Sequence, residues 1–195
     1  MRHLLITGFD PFGGEKINPS YEAVKLLPDV IGEYELTKIE LPTVFGRAAE
    51  IMIEKIAEIH PDAVICVGQA GGRRGITPEV IGINLREASI ADNAGNIPRN
   101  EKIRAGAPDG IFSTLPVREM VDAINAEGLP ASLSYSAGAF VCNDLLYSLL
   151  YEFKDTEIKI GFIHVPFHPE QAKAGVPSME LVEIVRGLRT AIECL

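Results

Sequence analysis

The chain has 195 residues, 47% of them hydrophobic and 23% charged, which is enough apolar surface for one well-buried core and excludes a disordered or fibrous class. Eighteen Lys and Arg against 27 Asp and Glu leave a formal net charge of −9 with no basic stripe, so nucleic acid is excluded as the expected partner. No apolar run is long enough to cross a bilayer, and MRHLLITGF lacks the apolar region and cleavage site of a secretion signal, so a cytoplasmic chain without a membrane partner is expected.

In chain order, His3–Thr7 (HLLIT) reads as a buried strand running into the turn-rich GFDPFGG. Asn18-Pro19-Ser20 opens a helix to about Leu27, with Asn18 as cap and Pro19 at the first helical position. Tyr34–Leu41 is a second strand, and Phe45–Ile59 a helix with Ala48, Met52, Ile56 and Ile59 on one face. Ala63–Val67 (AVICV), apolar throughout, suits the middle of a parallel sheet covered on both sides, and GQAGGRRG follows it. Val80–Leu85 reads as another strand, and 91–110 as a long functional loop rich in Asn, Gly and Pro. A helix at Val117–Ala126 and a short strand at Ala131–Ser134 come next. Leu145, Leu146, Leu149, Leu150 and Phe153 then mark a helix with one buried face that starts near Phe140 to Asn143. Lys159–Val165 is the last strand, and Met179–Cys194 a terminal amphipathic helix. Alternating strands and helices predict a single three-layer α/β/α sandwich over residues 1–195, with a largely parallel twisted sheet.

Ligands of such sheets sit at the carboxyl ends of the strands, where both glycine-rich segments and the start of the Cys142 helix fall. Cys142 lies among the free N–H groups of a helix start, whose positive end favours thiolate; it is also the kind of cysteine that serves as a small buried hydrophobe. The N–H groups of Ser136, Ala137, Gly138 and Ala139 are candidate oxyanion donors. His164, at the end of the last strand, has the near-neutral pKa wanted of a base, and Glu79, just before an apolar strand, is a carboxylate able to orient it. Taken singly, His164 also fits a satisfied core histidine and Glu79 a solvated carboxylate; only the set carries information. His168 is the rival base. Cys66 reads as core and Cys194 as surface, and three widely spaced cysteines without a secretion signal make disulfides improbable. Neither CxxC nor HExxH occurs, and Pro166 and Pro169 keep His164 and His168 off a common helix face, so no metal is expected. GQAGGRRG fits neither GxxxxGK[ST] nor GxGxxG, which argues against a nucleotide site. Phe9, Phe12 and Phe140 either wall a small apolar pocket or are plain core aromatics.

With these residues in view the sequence resembles the pyrrolidone carboxyl peptidases, or pyroglutamyl peptidases I. The matching segments are TGFDPFGG (7–14), INPS (17–20), VGQAGGR (67–73), ITPEVIGIN (76–84), ADNAGNIP (91–98), YSAGAFVCN (135–143) and GFIHVPFHPEQ (161–171), which span nearly the whole chain. The resemblance implies an α/β/α fold and removal of N-terminal pyroglutamate from peptides without metal or cofactor. It makes Cys142 the nucleophile, His164 the base and Glu79 its orienting carboxylate. It places the lactam pocket at Phe9, Phe12, Phe140 and Val141, with Gln69 beside it, and implies a homo-oligomer, often a tetramer. A neutral lactam suits apolar walls with a few amide partners. One departure stands out: the family typically has an arginine immediately before the isoleucine of SIADN, where this chain has Ser89, and Arg86 is the cation nearest in sequence. Reduced activity is the expectation from that exchange. The competing readings are a catalytically silent binding domain descended from the peptidase and an enzyme like the purine nucleoside phosphorylases, which would need a phosphate site.

Overall fold

The computed structural model describes residues 1–195. Four strands form the parallel centre of a six-stranded sheet: β1 (Arg2–Phe9), β3 (Tyr34–Leu41), β4 (Ala63–Gln69) and β8 (Lys159–Val165). Two short strands close its edges antiparallel, β2 (Val30–Ile31) against β3 and β5 (Thr77–Pro78) against β8, giving the order β2-β3-β1-β4-β8-β5. Each central strand is apolar on both faces because helices cover both. Leu4 and Ile6 of β1, Ala63, Ile65 and Val67 of β4 and Ile163 and Val165 of β8 face one layer, built by α1 (Pro19–Leu26), α3 (Val117–Ala126) and α5 (Leu181–Ile192). Leu5 and Phe9, Val64 and Cys66, and Ile160 and Phe162 face the other, built by α2 (Arg47–Ile59) and α4 (Val141–Glu152). The expected α/β/α sandwich with a mostly parallel sheet is present.

Two elements differ from the sequence reading. The apolar VIGINL contributes only β6 (Ile81–Ile83), which leaves the main sheet and pairs antiparallel with β7 (Gly110–Phe112) as a separate two-stranded sheet. Ala131–Ser134 forms no strand; it makes isolated parallel bridges, Ala131 to Ile76 and Ser134 to Glu79. The helix that carries Cys142 also departs from a one-faced pattern. Residues Asn143 to Leu150 of α4 are all buried, because the main sheet covers one side and the β6–β7 pair packs on another.

The chain leaves β1 for β3 on one side and then crosses to β4 on the other, so a crevice opens between the carboxyl ends of β1 and β4. Its rim is braced by polar side chains. Asn18 caps α1 by accepting from the Ser20 N–H at 3.1 Å and donates to the Asp10 carbonyl at 3.0 Å, while the Ser20 hydroxyl accepts from the Phe9 N–H. The Asp10 carboxylate accepts from the Thr43 N–H and hydroxyl, both at 2.7 Å, and from the Asn93 amide at 3.1 Å. Asp92, 5% exposed, accepts from the N–H groups of Phe45, Ala94 and Asn96, which turns the long 91–110 loop back onto the rim.

Candidate active site

Cys142 stands in the first turn of α4, which begins at Val141 after the extended Phe140. The thiol is partly exposed, and it rests on the sheet over Gly68 of β4. A Cβ at position 68 would lie 2.9 Å from the Cys142 Sγ and 2.7 Å from Phe162, so only glycine lets the sulfur approach the strand this closely. Gly68 is the register partner of His164 on β8. Laterally paired residues point to the same face about 4.8 Å apart, so the sulfur sits roughly one strand spacing from the imidazole position.

His164 is 3% exposed and packs on Phe162, ring centroids 4.7 Å apart. Its Nδ1 lies 2.7 Å from Oε1 of Glu79, which is fully buried. That bond assigns the proton to Nδ1 and leaves Nε2 as the basic nitrogen. Glu79 is carried there because β5 pairs with β8, with Thr77 opposite His164, and because the Glu79 N–H donates to the Phe162 carbonyl at 2.8 Å. The thiol, imidazole and carboxylate named from the sequence therefore converge, from α4, β8 and the residue following β5.

Burial alone would raise the Glu79 carboxyl, but the His164 hydrogen bond and charge, the Ser134 hydroxyl and Arg73 outweigh it and hold the group below its ordinary value. Burial pulls His164 below the usual imidazole range against the opposing pull of Glu79. The thiol follows the buried environment that its position also allows. Packing by its neighbours pushes Cys142 up to about 12, the Glu79 and Cys66 charges add to this, and Arg73 and the residue's own N–H only partly counter it. A helix start here does not outweigh burial and a carboxylate, so the site rests as neutral thiol and neutral imidazole beside an ionised carboxylate. Cys66, also pushed to about 12 by burial, is core as expected. Cys194 is half-buried instead of lying on the surface, with its thiol 3.3 Å from the Thr190 carbonyl.

The aromatic residues separate into two roles. Phe12 and Phe140 meet tilted with ring centroids 5.9 Å apart, Phe45 meets Phe140 edge-on at 5.1 Å, and Phe12 lines a cavity of about 380 Å³ together with Glu15, Gln69, Gly71, Ile90 and Phe167. Phe9 (2% exposed) and Val141 (0%) lie in the core beneath, Phe9 against Phe162 at 6.3 Å, and so support the wall from behind. Gln69 is held by Gln171, whose amide donates to its Oε1 at 2.9 Å and to the Ile17 carbonyl at 3.1 Å. With its oxygen occupied, the Gln69 amide presents N–H donors. Of the candidate oxyanion donors, the Gly138 N–H is taken by the Ser136 hydroxyl at 3.2 Å. Arg86 is committed elsewhere: its Nε donates to the buried Asp144 at 2.7 Å, and the same carboxylate caps the Gly46 N–H. Ser89 is exposed.

His168 belongs to the loop after β8 and stands 4.0 Å from Glu180, with its Nδ1 accepting from the Glu170 N–H. His168→Ala is expected to change turnover less than about threefold, whereas loss of a general base removes roughly a hundredfold or more, as steady-state kinetics will distinguish. The sequence reading passed over Arg73, the last residue of VGQAGGR, whose guanidinium contacts Glu79. Its place directly after a glycine loop at a strand end was the available signal. No cluster of three or more His, Cys, Asp or Glu side chains is arranged to hold a metal ion.

A layered α/β/α chain with thiol, imidazole and carboxylate gathered at the strand ends defines a cysteine-type hydrolase. The sequence model of the pyroglutamyl peptidases matches residues 2–195, and the chain belongs to that family. It is 52% identical over 193 residues to the pyrrolidone-carboxylate peptidase of Streptococcus suis, covering 97% of this chain and 90% of that protein. The crystal structure of Bacillus amyloliquefaciens pyroglutamyl peptidase I superposes with a TM-score of 0.95 at 45% identity, over 100% of this chain and 96% of the other. The pyrrolidone carboxyl peptidase of Thermococcus litoralis also gives 0.95, at 36% identity, over 100% and 93%.

Proposed function

We propose that the protein hydrolyses the amide bond after an N-terminal pyroglutamyl residue of peptides, with Cys142 as nucleophile, His164 as base and then acid, and Glu79 as the carboxylate that orients it. The observation carrying this reading is the 2.7 Å Glu79–His164 bond beneath a thiol seated on Gly68, the strand partner of His164, in a chain of this family. In this scheme Nε2 of His164 takes the thiol proton as sulfur attacks the pyroglutamyl carbonyl. Glu79 stabilises the imidazolium formed, and N–H groups of the first turn of α4 face the developing oxyanion. Collapse of the tetrahedral species sends the His164 proton to the leaving amine and leaves a thioester, which water hydrolyses with His164 again as base.

Phe12, Phe140 and the amide of Gln69 are the lactam-contacting groups in this reading, with Phe9 and Val141 as the packed layer behind them. The aromatic walls and the neutral Gln69 donors suit an uncharged lactam; Glu15, which also lines this cavity, stands 3.5 Å from the Gln171 amide. Hydrolysis of a pyroglutamyl fluorogenic amide beside the matching prolyl and glutamyl amides tests it: release from the first alone is expected, and equal release from the prolyl amide would contradict the pocket assignment.

Peptides are the proposed partners, in place of nucleic acid or membrane, supported by the net charge of −9 and by the lack of any helix long and apolar enough to cross a membrane. A cytoplasmic location and a tetrameric assembly complete the reading. Ser89 is read as lowering the rate, because the one nearby arginine in sequence, Arg86, is engaged by Asp144. Ser89→Arg is expected to raise kcat about tenfold, the low end of the effect of a single oxyanion partner; unchanged kcat means that Ser89 limits nothing.

A further inference from the structure

Arg73 lies outside the three residues of the proposed reaction, yet its guanidinium reaches three groups that the fold must hold in register. Nη1 donates to Glu79 Oε1 at 2.7 Å and to the Thr77 hydroxyl at 2.5 Å, and Nη2 donates to the Ser136 carbonyl at 3.1 Å. Thr77 is the strand partner of His164, and Ser136 opens the loop that runs into Cys142. The Arg73 side chain is 27% exposed and its carboxylate partner fully buried, and Arg73 also lines a groove of about 700 Å³ with Arg74, Ser132, Ser134 and Tyr135.

We infer that Arg73 is a positioning residue that locks the Glu79 carboxylate in place for His164 and fastens it to the loop leading into the nucleophile. The inference rests on the Cys142–His164–Glu79 reading above and extends it. Its physical basis is the sharing of one oxygen. Arg73 and His164 both bind Oε1, while Oε2 is buried without a hydrogen-bond partner. With the Ser134 hydroxyl as the weaker neighbour of the carboxylate, Arg73 adds a second strong bond to Oε1 that rotation of the group would break together with the one to His164. The planar guanidinium, held by Thr77 at the same nitrogen and by Ser136 at the other, favours the orientation seen.

The shared oxygen also has an electrical consequence. The charged and titratable groups facing the pair are Arg73 from the loop after β4, Glu79 after β5, Cys142 at the start of α4 and Cys66 on β4. Among these Arg73 is the only cation, and it opposes protonation of His164 and favours ionisation of Cys142. It adds to burial, the larger effect, in offsetting the pull of Glu79 on the imidazole, which keeps His164 able to pass its proton to the leaving amine.

The test compares the full-length parent with Arg73→Gln, Arg73→Lys and Arg73→Ala, the last with and without methylguanidine, which can enter through the groove. For Arg73→Gln and Arg73→Ala the expected result is a fall in kcat of about 10- to 100-fold, the size of a lost orienting contact, with KM changed less than threefold. The rising limb of kcat/KM should move to higher pH, because the cation opposing imidazole protonation is gone. Lys should recover part of the rate, and methylguanidine should raise Arg73→Ala at least fivefold. The pH dependence of iodoacetamide alkylation at Cys142, followed by peptide mapping, gives a readout that needs no substrate. An upward displacement in Arg73→Gln supports the role of Arg73 even if the parent released no pyroglutamate, an outcome that would overturn only the substrate assignment. Unchanged pH profiles in both assays would overturn the inference. So would a rate loss that neither lysine nor methylguanidine restores and that tracks a lowered melting temperature, since that pattern belongs to a residue serving only the fold.

Discussion

Cys142→Ala is expected to lower release of pyroglutamate by four orders of magnitude or more, about what loss of a nucleophile costs when its base and carboxylate remain. The sulfur is the only nucleophilic atom placed against Gly68 beside His164. Cys66 is closed in the core, and Cys194 follows α5 at the far end of the chain. Removing one sulfur from a partly exposed position over Gly68 should shift the melting temperature by only a few degrees. A variant that kept even a tenth of the parent's turnover, with its fold intact by circular dichroism, would end the covalent mechanism.

The second large effect belongs to Glu79→Gln. The amide keeps the shape of the carboxylate but carries no charge, and it can present an N–H where His164 needs an acceptor. In serine hydrolases the corresponding exchange costs about 10⁴ in kcat through the wrong imidazole tautomer, and a loss of roughly 10³ to 10⁴ is expected here. The pH dependence supplies a sign. Glu79 pulls the His164 pKa up, so its removal lets burial and Arg73 lower it further, and the rising limb of the residual activity should move to lower pH. Removal of Arg73 moves the same limb the other way. Opposite displacements from the two partners of one oxygen are difficult to obtain from general destabilisation, which would move both variants alike. Glu79→Gln also leaves the Arg73 charge without its partner, so this variant should melt below the parent, and the rate comparison belongs well below both transitions.

Much of this arrangement was legible in the residues. The runs HLLIT, AVICV and KIGFIHV are apolar on both faces because they are central parallel strands, and each became a core strand. Asn18-Pro19 fixed the start of α1 through a cap geometry that depends only on neighbours. Cys142, His164 and Glu79 could be chosen because each sat at an element end. What escaped depends on contacts between distant segments. Val80–Leu85 looked like a core strand, yet Gly82 packs against the backbone of Tyr147 in α4, where a Cβ would stand 3.1 Å from the Tyr147 Cα, and the segment is thereby diverted to pair with Gly110–Phe112. β5 is two residues long and contains Pro78, which sequence patterns treat as a breaker and which an edge strand accommodates. The state of the thiol is not legible in the residues, because a helix start is visible in sequence while the burial and carboxylate opposing it are not. Arg73 reaches Ser136 across 63 positions of chain, a contact without any local signature.

The most direct measurement is inactivation by a pyroglutamyl chloromethyl ketone, with the alkylated residue located by mass spectrometry of the digested protein. One equivalent on Cys142, rising in step with loss of activity and slowed at least a hundredfold in His164→Ala, is the predicted result. Label on Cys194, or full labelling of Cys142 with turnover undiminished, would contradict it.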